Sequence, residues 1–152
     1  MKRFMFFVTI SLVIFSFFSV SSFAQRGGMN RRNTGWGMGS QYNRMYNVNT
    51  VETITGEVIR VNKITPAKGM SSGIHLLVKT GKETISVHLG PSWFMDKQKI
   101  EINIKDKVTV TGSRITYKGN PAIIASEITS GNMTFTLRDK NGYPVWSGSR
   151  GR

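Results

Sequence analysis

The feature that most restricts the fold is a period-two alternation of apolar and polar residues, repeated in short segments between residues 51 and 137. A period of two places alternate side chains on one face of a strand, whereas a helix requires a period near 3.6. Two alternating segments, 74–80 and 83–89, are separated only by Gly81 and Lys82, which predicts a tight hairpin of type II′. We therefore expect an all-β domain.

The first strand, Val51–Ile64, carries a break in this alternation. Its apolar residues Ile54 and Val58 occupy even positions, whereas Ile59 and Val61 occupy odd positions, so the parity changes between residues 58 and 59, just after Gly56. A change of parity inside a strand, close to a glycine, indicates a bulge or sharp bend. The strand is then expected to serve two sheet faces in turn.

The predicted order is a long bent strand, a hairpin, one or two helical turns at 91–98 (PSWFMDKQ) and then further strands. This is the order of an OB-fold, a small Greek-key barrel with a short helix between strands 3 and 4. An SH3-like or other small β-barrel is the alternative. We place the barrel at residues 51–146.

Residues 1–24 have the features of a Sec-type signal peptide. A basic start precedes an apolar run at 4–18, and Ser22 and Ala24 occupy the −3 and −1 positions of a cleavage site. A spanning helix needs about 20 apolar residues, and this run is shorter. An uncleaved membrane anchor is the alternative. The prediction is a periplasmic or secreted protein without a transmembrane span after cleavage.

Residues 25–50 are rich in Gly, Asn and Arg and contain no acidic residue. They show no sustained apolar period, so we predict a flexible basic tail there and another at 147–152. The whole chain carries 21 basic and 8 acidic residues, a net charge of +13. Such an excess favours an anionic polymer or an envelope protein as partner, and export makes nucleic acid a weaker alternative.

The chain contains no cysteine, which excludes disulfides, thiolate metal sites and cysteine nucleophiles. It contains two histidines and shows no arrangement of nucleophile, base and acid with the spacing of a known catalytic motif. We therefore predict a non-catalytic protein without a cofactor, apart from a divalent metal that the two histidines could hold.

Those histidines, His75 and His88, fall directly opposite one another if Gly81 and Lys82 form the hairpin turn. Opposed residues on one face have Cβ atoms about 4.5–5.5 Å apart, a spacing that suits two ligands of one metal ion. A tight zinc site uses three or four ligands, so the alternative is a hydrogen-bonded histidine pair. Metal handling is thus a second functional hypothesis.

The first hypothesis is partner binding on the barrel face formed by strands 1 to 3. OB-folds combine basic grooves with aromatic platforms, so single-stranded nucleic acid is a third hypothesis. The tryptophans could instead fill the core. The candidate partner-binding residues are Arg60, Lys79, Trp93, Tyr117 and Trp146.

Four runs of the sequence resemble small exported bacterial OB-fold proteins, including the domain shared by magnetosome proteins of the MamS and MamX kind. The runs are GIHLLVKT (73–80), VHLGPSWF (87–94), KVTVTGS (107–113) and LRDKNGYPVW (137–146). The resemblance implies an exported, non-enzymatic module, and the missing cysteines exclude the covalent haem that some relatives carry. It also leads us to expect a glycine where this chain has Lys105.

Overall fold

The computed structural model describes residues 35–147. The predicted signal peptide (1–24) and the predicted tail residues 25–34 and 148–152 lie outside this range. Within it, no helix has the length and apolarity needed to cross a membrane. The strands are β1 (Val51–Ile64), β2 (Gly73–Lys79), β3 (Thr84–Pro91), β4 (Lys107–Tyr117), β5 (Asn120–Ser130) and β6 (Met133–Thr136). The helices are α1 (Ser92–Lys97) and 3₁₀ turns at Asn43–Met45, Val48–Thr50 and Val145–Ser147.

The six strands form one sheet in the order β3-β2-β1-β4-β5-β6. A parallel pairing of residues 86–88 with 122–124 joins β3 to β5 and closes β1 to β5 into a barrel. With α1 between β3 and β4, this arrangement confirms the predicted OB-fold. The barrel core consists chiefly of Val58, Leu76, Val78, Ile85, Val87, Leu89, Val108, Val110, Ile123, Ile128 and Leu137.

The predicted break in β1 is confirmed as a β-bulge. Residues 51–57 pair with β4, residues 57–64 pair with β2, and the register with β2 skips Ile59. At Gly56 the neighbouring strand passes so close that a Cβ would overlap the carbonyl of Lys79. The glycine and the bulge together let one strand pair with both halves of the barrel.

The β2–β3 hairpin has the predicted register, with His75 opposite His88. The turn type is not the predicted II′, because Gly81 lacks the positive φ which that turn requires. Instead, the hydroxyl oxygen of Thr80 accepts hydrogen bonds from the backbone N–H groups of Lys82 and Glu83. A local side-chain hydrogen bond therefore satisfies the turn without a left-handed glycine.

Residues 35–50, hereafter the N-terminal segment, differ from the predicted flexible tail. Trp36 is only 1% exposed, and Tyr42 and Asn43 are also buried. Trp36 and Tyr42 pack with Met70 and Ile124 in a second apolar cluster outside the barrel core. The tail prediction fails here because a few large side chains, irregularly spaced, bury substantial surface without producing any periodic pattern.

We expect Lys105→Gly to stabilise the fold by about 0.5–1 kcal/mol. Lys105 has a φ of 75°, and its N–H donates to the Val58 carbonyl beside the bulge, at 2.7 Å. A Cβ is strained in this left-handed conformation, and glycine removes the strain. Urea unfolding would measure the gain. Lys105→Ala is the control, since it removes the charge but retains the Cβ, and equal stability of the two variants would contradict the explanation.

Candidate functional site

The strands β2 and β3 expose an outer face whose residues alternate with the core side chains Leu76, Val78 and Val87. We call it the β2–β3 face; OB-folds use this face to bind ligands. Its cross-strand neighbours are Asn62, His75 and His88 at one end, Arg60, Leu77 and Ser86 in the middle, and Lys79 and Thr84 at the hairpin end.

The N-terminal segment covers the histidine half of this face. Trp36 Nε1 donates a hydrogen bond to the Ser71 carbonyl at 3.0 Å. The Tyr42 hydroxyl is hydrogen-bonded to His88 Nδ1 at 2.7 Å, and the two rings stack with an interplanar angle of 13°. The chain itself therefore occupies half of the surface that an OB-fold usually offers to a ligand.

The two histidines form a tightly stacked, buried pair. Their ring centroids are 3.6 Å apart at 11°, and His75 and His88 are 2% and 1% exposed. Neither Nε2 atom has a hydrogen-bond partner among the described residues. Because a nitrogen lone pair lies in the ring plane, stacked rings direct their lone pairs along parallel lines rather than at one point. One ring would have to rotate for both to bind one ion.

No larger metal-ligand set surrounds this pair. Within residues 35–147, no group of three or more His, Cys, Asp or Glu side chains is placed to hold a metal ion. Binding by His75 and His88 alone stays a prediction.

Burial keeps the side chains of His75, His88 and Tyr42 uncharged at neutral pH. It lowers the pKa of His75 from 6.5 to about 4, with a smaller contribution from Lys118. Burial also lowers the pKa of His88, assisted by His75 and Arg138. Burial raises the pKa of the Tyr42 hydroxyl. At neutral pH the covered half of the face therefore consists of neutral imidazoles and a protonated phenol.

Arg138 fastens the N-terminal segment to the barrel. Its guanidinium is buried, donates to the Ala125 carbonyl and to Asn43 Oδ1, each at 3.0 Å, and lies 4.8 Å from the Trp146 ring. The Asn43 side chain donates in turn to the Trp36 carbonyl at 2.8 Å. Burial lowers the pKa of Arg138 to about 10, so it remains charged at neutral pH. Sequence reasoning missed this role, although Arg138 lies in the quoted LRDKNGYPVW run.

Two of the predicted partner-binding residues, Tyr117 and Trp146, pack against the second apolar cluster, which contains Trp36 and Tyr42. The Tyr117 hydroxyl donates to the Pro66 carbonyl, and its ring meets that of His88 edge-on, with centroids 4.7 Å apart. Trp146 is half-buried, and its Nε1 donates to the Trp36 carbonyl at 3.0 Å. Trp146 therefore binds the N-terminal segment directly, and Tyr117 packs against the apolar cluster that this segment shares with the barrel.

The other three predicted residues are exposed but do not lie together. Arg60 and Lys79 share the uncovered half of the β2–β3 face, while Trp93, 41% exposed, lies on α1. Trp93 follows Pro91, which pairs with Gly73 at the opposite end of β2 from Lys79. At about 3.3 Å per residue, the two ends of β2 are roughly 20 Å apart, so Trp93 lies far from Lys79.

The buried histidines make stability depend on pH. Unfolded histidine has a pKa near 6.5, and the folded values are lower, so the unfolded state binds more protons as the pH falls below 6.5. Between about pH 6.5 and pH 5, we expect stability to fall by up to about 1.4 kcal/mol per pH unit for each histidine. Urea unfolding across this range measures the slope.

His75→Phe keeps an aromatic ring in the stack but removes one titrating group, so the slope should be about halved. The wild type above pH 7 is the internal control, because both histidines are then neutral in either state. The same slope in the variant and the wild type would contradict the burial of a neutral pair.

Comparison with known proteins identifies the family to which the chain belongs. Among solved structures, the crystal structure of the S. pombe Stn1-Ten1 complex is similar, with a TM-score of 0.43 and 15% identity, over 55% of this chain and 59% of that chain. None of the curated proteins matches. The model of the MamS/MamX magnetosome protein family matches residues 50–135, more than half of the chain, and includes all of β1 to β5. The protein is a member of the MamS/MamX magnetosome protein family.

Proposed function

We propose that the protein is an exported, non-catalytic binding module that recognises an anionic partner in the cell envelope. The recognition surface is the uncovered half of the β2–β3 face, formed by Arg60, Leu77, Lys79, Thr84 and Ser86 and hereafter called the open half. The observation that carries the proposal is the division of this face into a covered neutral half and an open basic half.

The open half combines two exposed cations with a small apolar and hydroxylated surface. Arg60 lies opposite Leu77, and Lys79 lies opposite Thr84. Ion pairs among the described residues involve Arg114, which binds Glu52 at 2.6 Å and also Glu83. Neither Arg60 nor Lys79 takes part in them. Glu57 lies opposite Lys79 in the register and offsets one of the two positive charges, so the open half keeps a smaller basic excess from Arg60.

The position of the titratable groups supports a binding role over a catalytic one. The groups whose pKa values burial shifts, Tyr42, His75, His88 and Arg138, are all buried where the N-terminal segment meets the barrel. A general base or nucleophile must instead reach its substrate within hydrogen-bond distance. The overall charge of +13 adds long-range attraction toward anions, which salt screens.

We expect the double variant Arg60→Gln/Lys79→Gln to bind anionic surfaces at least several-fold more weakly, because each surface cation contributes about 1 kcal/mol there. The probes are phosphatidylglycerol vesicles, lipopolysaccharide and a labelled single-stranded oligonucleotide, each titrated at low and high salt. Wild-type binding to an envelope anion should weaken steeply as salt rises.

Lys68→Gln/Lys97→Gln is the matched control, since it removes the same charge from exposed positions outside the open half. An equal loss of affinity in both double variants would show that binding depends on overall charge and not on the open half. Binding to the oligonucleotide alone would favour the nucleic-acid alternative, and no binding to any probe at low salt would refute the proposal.

A second candidate function is metal handling, favoured by the Nε2 atoms of His75 and His88, which have no hydrogen-bond partner within residues 35–147. Isothermal titration with Zn²⁺, Cu²⁺ and Ni²⁺ tests it. A micromolar or tighter site that is lost in His88→Ala, and that weakens as acid protonates the ligands, would support it. An absence of binding heat, or a site unchanged in the variant, would eliminate it.

A further inference from the structure

We propose that a cleft on the outer face of the β1–β4–β5–β6 sheet binds a neutral oligosaccharide. The cleft has a volume of about 380 Å³, and its lining includes Tyr46, Val48, Thr111, Glu127, Asp139 and Lys140. It lies beside the first half of β1, away from the open half, which uses the second half of that strand, and the proposal is independent of the anion-binding function proposed above.

The floor of this cleft continues into two rows of polar side chains, all of them threonines except Glu127. One row across the four strands is Thr55, Thr109, Thr129 and Thr134, and the next is Thr53, Thr111, Glu127 and Thr136. Within the rows, the hydroxyls of Thr53 and Thr111 are hydrogen-bonded at 2.9 Å, as are those of Thr129 and Thr134. Neighbouring strands lie about 4.8 Å apart, so the array presents evenly spaced hydroxyl donors and acceptors.

The charges of the cleft indicate a neutral ligand. Two bases, Arg138 and Lys140, are balanced by two acids, Glu127 and Asp139. The lining therefore has no net charge in a chain of +13, so it does not favour an ion of either sign. It nevertheless offers both an exposed carboxylate acceptor on Glu127 and an exposed ammonium donor on Lys140. Sugar hydroxyls both donate and accept hydrogen bonds, and they can use both groups at once.

The walls of the cleft provide apolar surface for the C–H faces of a sugar ring. Val48 and Val51 are exposed there, and the Tyr46 ring is half-buried. The Arg138 guanidinium lies 5.9 Å from the centre of that ring, and Gly142 packs so closely that a Cβ would overlap the ring. The aromatic wall is therefore fixed before any ligand arrives, which lowers the entropic cost of binding.

Isothermal titration of the protein with three neutral oligosaccharides tests this inference. The probes are a β-1,4-linked glucose oligomer, a β-1,4-linked N-acetylglucosamine oligomer and an α-1,4-linked glucose oligomer. We expect at least one to bind, with an affinity that is the same at low and high salt because the sugar carries no charge for salt to screen. Failure of all three to bind would overturn the inference.

Glu127→Gln and Lys140→Met should each weaken binding about tenfold, as expected for a lost hydrogen bond to a charged group. Glu101→Gln is the control, because Glu101 is also exposed but lies outside the cleft. Tighter binding by Glu127→Gln, or a steep loss with salt, would identify an anion site instead and refute the neutral ligand. Arg60→Gln/Lys79→Gln should leave sugar binding unchanged, so the anion and sugar proposals can fail separately.

Discussion

The architecture depends on a single strand that belongs to both halves of the barrel. β1 can pair with β4 along residues 51–57 and with β2 along residues 57–64 only because its backbone bends between them. Gly56 allows the close approach of β2, and the bulge at Ile59 changes which face each later side chain occupies. Both candidate surfaces follow from this bend, since the first half of β1 carries the threonine rows and the second half carries Arg60.

Covering half of the β2–β3 face has a cost. Two buried imidazole nitrogens lack hydrogen-bond partners in the part of the chain that the structure describes, and each such group costs about 1–3 kcal/mol. The cost is offset by burial of Trp36 and Tyr42, by the stacking of Tyr42 on His88, and by the hydrogen bonds of Asn43 and Arg138. Burial also keeps both histidines neutral. Their protonation at low pH therefore weakens the contact between the N-terminal segment and the barrel.

Local patterns were enough to predict the barrel and part of the site. Period-two alternation located the strands, the parity change at Ile59 located the bulge, and the two-residue turn placed His75 opposite His88. Each of these inferences uses residues that are close in sequence or related by one hairpin. Arg60 and Lys79 were candidate binding residues, but only the observed register of β1 with β2 places Arg60 beside Leu77 on the same face as Lys79.

The parts that sequence reasoning missed depend on contacts between distant residues. Asn43 binds Arg138, and Trp36 binds Trp146, across 95 and 110 positions of the chain, respectively. Such contacts leave no periodic pattern in the sequence. Residues 35–50 were therefore predicted as a flexible tail, and Tyr117 and Trp146 as partner-binding residues. The threonine rows were missed for a similar reason, since they emerge only once the registers of four strands are known.

Arg138 connects the two regions of the molecule that these contacts create. Its guanidinium binds Asn43 within the buried cluster, and it also lies over the Tyr46 ring that forms a wall of the cleft. Its Nε atom has no hydrogen-bond partner among the described residues, and burial already disfavours its charge. The side chain is therefore held by two hydrogen bonds and two aromatic rings rather than by a carboxylate. A displacement of Tyr46 would remove one of these supports, so the cleft and the seal over the histidines share a common structural element.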